Sequence, residues 1–185
     1  MTGVQTCALP ISLLICFTSC NNKPETDSKE KAEKENKTKF DSNAEEQDAS
    51  FFVDAVDMNF TIIALSKIAA SKTNSKDLKA LVKEIQTDHK KMVDSLKQMA
   101  QNKIITIPVK ISNAGKNVCD RLDKYSGLDF DKEYCNQMIA CYNNAITKFE
   151  TEAVRSEDPE VRKFALAELI GLKENLEKIK ASSKK

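Results

Sequence analysis

Between Leu78 and Met99, the residues Leu78, Val82, Ile85, His89, Met92, Leu96 and Met99 follow one another in alternating steps of four and three. That spacing lines one face of an α-helix, whereas a strand would scatter the same side chains over both of its faces. Roughly six turns of apolar stripe cannot stay in water, so the chain must bring other helices to cover it.

The rest of the sequence supplies them. Asn74-Ser75-Lys76-Asp77 has the character of a capping box and sets the start of the striped helix. Ahead of it a helical period runs from Ser50 to about Lys72 through Phe52, Val56, Ile63 and Ile68, with Asp48 or Ser50 as its cap. Beyond it, Pro108 stands among Ile104, Ile105, Thr106, Ile107 and Val109, which forbids helix and predicts extended chain until Ser112. A short helix opens there and closes at Ser126-Gly127. Asp129 or Asp131 begins another, whose inner face carries Tyr134, Met138, Tyr142, Ala145 and Phe149. Asp158-Pro159 is a cap and first-turn pair for the last, with Val161, Ala165, Leu169, Leu172, Leu176 and Ile179 on one stripe.

Loop lengths then choose the topology. Short connections make the first two long helices, and likewise the last two, antiparallel neighbours. The striped helix covers about 40 Å, and the extended stretch 103–111 with the short helix spans roughly 50 Å, so the chain returns to the far end before the next long helix begins. The expected fold class is all-α: a ferritin-like antiparallel four-helix bundle over residues 48–181, with one long crossover carrying a short extra helix.

Ahead of the bundle, the apolar run Leu13-Leu14-Ile15-Cys16-Phe17-Thr18-Ser19 ends at Cys20, after which the chain turns polar at once. This is the pattern of a bacterial lipoprotein processing site, with Cys20 as the lipid attachment point. Residues 12–19 are read as the remnant of the signal peptide, and 20–47 as the lipidated cysteine followed by a disordered charged tether. No Lys or Arg precedes Lys23, and residues 1–11 resemble the translation of a sequencing-library adapter, so they are expected not to be native. No apolar run reaches the roughly 18 residues of a bilayer span, which leaves lipid on Cys20 as the hold on the membrane. The expected location is the bacterial cell envelope, on its periplasmic side or at the outer membrane.

Charge and composition exclude several functions. Lys and Arg number 29 against 28 for Asp and Glu, and there is no Trp, so neither a basic face for phosphates nor a stacking platform for bases is on offer. Nucleic acid is not an expected partner. Only four Gly occur, with no phosphate-cradling loop and no Gly-x-Ser-x-Gly turn.

The succession Phe52-Val53, Asp88-His89, Ile107-Pro108, Ser126-Gly127, Phe130-Asp131-Lys132-Glu133-Tyr134 and Leu172 to Leu176 resembles the bacterial family called domain of unknown function 4142, over nearly the whole bundle. The resemblance implies an exported or lipid-anchored ferritin-like bundle without an established biochemical role. It also implies a Glu in the first bundle helix, an Asp-His pair in the second and a His in each of the last two long helices, all facing inward. Here those positions hold Ile62, Asp88-His89, Tyr142 and Asn175. A di-iron bundle draws Glu from two helices and Glu-x-x-His from two others, and the chain has a single His. No metal, no cofactor and no catalytic group are therefore expected. His89 is read either as a neutral core histidine whose ring meets Tyr142, or, with Tyr142, Asn175 and Ile62, as the lining of a residual small-molecule pocket. On the first reading, His89→Leu is expected to gain stability.

Of six cysteines, three fall in the bundle: Cys119, Cys135 and Cys141. Cys119 and Cys135 flank the Gly127 turn, where a disulfide and a pair of small buried hydrophobes are the alternatives. Three roles follow for the whole chain: an envelope lipoprotein whose bundle is a binding or structural module facing an envelope protein partner, a ferritin-like metal or redox protein, or a carrier of a small apolar ligand. The first is the expected one.

Overall fold

The structure, a computed structural model, describes residues 26–184. The expectations for 1–11, 12–19 and the lipid on Cys20 lie outside the described residues. Among the described residues six helices follow one another: α1 (Ser28–Asn36), α2 (Asn43–Lys72), α3 (Lys76–Asn102), α4 (Asn113–Leu122), α5 (Gly127–Arg155) and α6 (Pro159–Ser182). Their starts are where short polar side chains can take orphan amides. Ser42, Ser75 and Ser112 accept from the amides of Glu45, Leu78 and Gly115, and Asp158 accepts from Glu160 and Val161 ahead of Pro159.

Pairings between helices define the bundle. Phe51 packs edge-on against Phe149 with ring centroids 5.0 Å apart, while Ser66 meets Tyr134 at 3.1 Å, so α2 and α5 run antiparallel. Glu84 pairs with Lys178 at 2.6 Å and Lys103 with Asp158 at 2.5 Å, so α3 and α6 do the same. Around the bundle the order is α2, α3, α6, α5. Helices α3 and α5 share a direction across a diagonal, and the crossover 103–126 joins them. Phe52, Leu65, Ile85, Leu96, Phe130, Met138 and Phe149 fill the interior.

Residues 28–36, expected within a disordered tether, instead form α1, and the bundle helix expected from about Ser50 begins two turns earlier at Asn43. The reason is the crossover. An extended segment with no sheet neighbour leaves backbone groups that need partners, and the polar side chains of this stretch supply them. Asn36 grips Thr106 through both its amide and its carbonyl, each at 2.8 Å. Ser28 accepts from the Val109 amide at 2.9 Å, and Asp27, the α1 cap, accepts from Asn113 at 2.6 Å. Ala32 is buried beneath.

Helix α2 is also, by length and composition, the one helix among the described residues long and apolar enough to cross a membrane, although Asp54 and Asp57 break its apolar run. Two-thirds of its most apolar window (67%) is buried inside the bundle, as in a core helix.

Helix α4 ends at Leu122, earlier than Ser126, and leans on α2. A Cβ on Gly115 would stand 2.4 Å from Thr61 Oγ1 and 2.7 Å from the Ile111 side chain, so only glycine fits there. With α4 drawn toward α2, the bridge weighed between Cys119 and Cys135 is not formed, and Cys119, Cys135 and Cys141 are free thiols.

Helix α3 closes with two crossed bonds, Ile104 N–H to Gln101 and Ile105 N–H to Ala100, a Schellman ending whose left-handed position is Ile104 at φ 59°. A β-branched residue is strained there, and its side chain is 74% exposed. Ile104→Gly is expected to raise stability by about 1 kcal/mol, the relief of strain exceeding the added entropy of the unfolded chain. A rise in denaturant midpoint at unchanged m-value would show it.

Candidate functional site

Midway along the bundle the apolar interior is crossed by a polar layer with one side chain from each long helix: Asn59 on α2, His89 on α3, Tyr142 on α5 and Asn175 on α6. Each is at most 4% exposed. His89 Nδ1 lies 2.6 Å from Asn59 Oδ1, and His89 Nε2 lies 2.9 Å from the Tyr142 hydroxyl, across the diagonal. Asn175 faces the Tyr142 hydroxyl from α6, where it favours the charged form of the phenol.

The direction of each bond follows from its neighbours. Asn59 Nδ2 donates to the Ala55 carbonyl at 2.7 Å and lies 3.3 Å from Met92 Sδ, so its Oδ1 is the acceptor. His89 therefore carries its hydrogen on Nδ1 and accepts at Nε2 from the Tyr142 O–H. Burial pushes the His89 pKa down from 6.5 to about 4, which keeps the ring neutral. The Tyr142 hydroxyl is pushed well above its ordinary value, first by burial and then by Tyr134, Asp88 and Cys141, with Asn175 acting the other way.

Sequence reasoning placed three of these four. His89, Tyr142 and Asn175 come together, but Ile62 does not join them: it is fully buried apolar packing, and α2 contributes Asn59 instead, nearly one turn earlier. Asn59 was legible in principle. It stands three residues after Val56 and four before Ile63, a lone amide on the inward face of an apolar helix.

A cavity of about 300 Å³ reaches this layer through the seam between α3 and α6. Asp88 and Glu168 stand at its walls, Gly171 leaves it open, and His89, Met92 and Asn175 lie within. Burial, reinforced by the Asp88 charge, raises the Glu168 carboxyl above its usual value. The chemistry on offer is limited. Both ring nitrogens of the single imidazole are committed, so neither has a lone pair free for an ion. Among the described residues no group of three or more His, Cys, Asp or Glu side chains is placed to hold a metal. Burial pushes the Cys119 and Cys141 thiols up to about 11, which disfavours the thiolate that a nucleophile needs.

The profile of the family described as Domain of unknown function (DUF4142) matches residues 33–181. Among solved structures, the chain is similar to CopM in the Cu(II)-bound form, with TM-score 0.63 and 20% identity over 74% of this chain and 95% of that one. It is likewise similar to CopM in the Cu(I)-bound form, with TM-score 0.61 and 21% identity over 72% and 93%. At such identity the likeness is one of fold. No curated protein sequence matches the chain.

Proposed function

The chain belongs to the family described as Domain of unknown function (DUF4142), and from that premise we propose that it is a membrane-anchored envelope lipoprotein whose bundle serves as a rigid binding or structural module with no resident metal ion. The observation that carries this reading is the closed polar layer. A site built to grip an ion presents convergent lone pairs, whereas His89 commits both ring nitrogens to Asn59 and Tyr142. Such a layer fixes the register of α2, α3 and α5 against sliding, because a shift by one residue would bury several unpaired polar groups.

Anchoring rests on the Cys20 pattern, and α1 sharpens its consequence. Only seven peptide steps separate Cys20 from Asp27, at most about 25 Å of chain. A lipid on Cys20 would hold the face formed by α1 and the crossover close to the headgroups, nearer than a free 27-residue tether would.

A second reading, copper binding, is favoured by the bound states of the two CopM structures. In this chain the thioether beside the layer, Met92, already lies against the Asn59 amide. Untagged protein dialysed against Cu(I) under reductant, and separately against Cu(II), iron, manganese or zinc, is expected to retain no stoichiometric ion. One ion per chain, lost on Met92→Leu or His89→Leu, would replace the module by the copper reading.

A further inference from the structure

Where α2 begins, it is held to the corner between α5 and α6 by two carboxyls. Glu152 on α5 is 2% exposed, and its Oε2 receives the Arg155 guanidinium, which also donates to the Gln47 carbonyl at 3.1 Å. Asp48 on α2 accepts from the Ser156 hydroxyl at 3.0 Å through Oδ2. The remaining oxygens, Asp48 Oδ1 and Glu152 Oε1, are shut away from solvent without a donor, and the two carboxyls belong to one junction, since Arg155 ties Glu152 to Gln47, the chain neighbour of Asp48. Two ionised oxygens cannot bond, and burying both without a donor is costly.

We propose that Asp48 and Glu152 share a single proton, and that this proton is a latch holding the first turns of α2 against the α5–α6 corner: closed when bound, released when lost. The arrangement is the carboxyl pair in which like charges at close range force one member to stay neutral.

The surrounding charges favour one shared proton rather than none. On α2, Glu45 is tied to Ser42 and Asp54 to Lys29 and Lys148. At the corner and on α6, Asp158 and Glu160 take Lys103 from the end of α3, Arg162 caps the Ser156 carbonyl, and Glu157 is exposed. Arg155 is thus the cation left to the pair, and it balances one carboxylate, not two. Burial first, opposed by Arg155 and reinforced by Asp48, pushes the Glu152 carboxyl from 4.5 up to about 7. The folded value lies above the unfolded one, so the latch stabilises fully below 4.5 and loses its hold as pH rises through 7. The segment it frees leads through 37–42 to α1.

Hydrogen exchange of the amides in 43–50 tests this on the intact chain, with intrinsic rates corrected. A group titrating at about 7 should raise opening of this segment about tenfold between pH 6 and pH 8. Glu152→Gln puts a permanent amide donor opposite Asp48, and Asp48→Asn puts one opposite Glu152; either should abolish the dependence while the fold persists. His89 titrates in the opposite sense, but its layer lies away from the exchanging amides. Wild-type exchange equal at the two pH values, or a tenfold rise surviving in both variants, overturns the latch.

Discussion

Replacing His89 with leucine is expected to lower the unfolding free energy at pH 7 by about 2–4 kcal/mol, the reverse of the gain that sequence reasoning attached to a singly bonded core histidine. The imidazole has two partners, not one. Leucine would leave the Asn59 carbonyl oxygen and the Tyr142 hydroxyl buried with nothing to bond, at about 1–3 kcal/mol each, and the added apolar contact offsets part of that. Denaturant unfolding of the variant reads the sign directly, and a higher midpoint would show that the layer is not the closed network described. Coupling can be separated from size. Tyr142→Phe in the His89→Leu background should cost far less than Tyr142→Phe alone, since the hydroxyl it removes has already lost its acceptor.

The parts of this fold that were legible in the sequence are those whose stabilisation is local. The steps of four and three from Leu78 to Met99 dictate α3, and Asp158-Pro159 dictates the start of α6, because period and cap are set by residues a few positions apart. The crossover was legible from length alone. Helix α1 was not, because what holds it is polar and distant: Asn36 with Thr106 and Ser28 with Val109 are separated by 70 and 81 residues. A composition argument weighs apolar area, and this segment offers almost none. Ile62 entered through family likeness, which fixes a region of a helix more firmly than a rotation about its axis, and a polar layer depends on rotation. His89 stood out beforehand as the polar member of an otherwise apolar stripe, whereas Tyr142, one of two tyrosines on its stripe, was singled out through the family likeness. Asp48 and Glu152 could not, since a carboxylate on a charged helix reads as surface until its neighbours are known.

Lowering the pH from 7 to 4 should remove about 3 kcal/mol of stability through His89 alone, and the wild-type curve should conceal much of that loss. His89 has a folded pKa of about 4, below the ordinary 6.5. The unfolded chain therefore binds the extra proton across that interval, and the contribution, complete above 6.5, disappears as pH falls through 4. Glu152 works in the other direction between 4.5 and about 7. Over the shared interval the two slopes oppose, which predicts a flattened profile from pH 4.5 to 6.5 although both groups are strongly perturbed. Substitution exposes each in turn. Glu152→Gln leaves His89 unopposed, so stability should climb steadily from pH 4 to 6.5; His89→Leu leaves Glu152 unopposed, so stability should decline from pH 4.5 toward 7. Because the chain has a single imidazole, its ring resonances can be followed without assignment, and they should remain those of the neutral form from pH 8 down to 5. A midpoint near 6.5 would mean that water reaches the ring through the α3–α6 seam, and the neutral, fully bonded layer on which the absence of an ion site was argued would have to be given up.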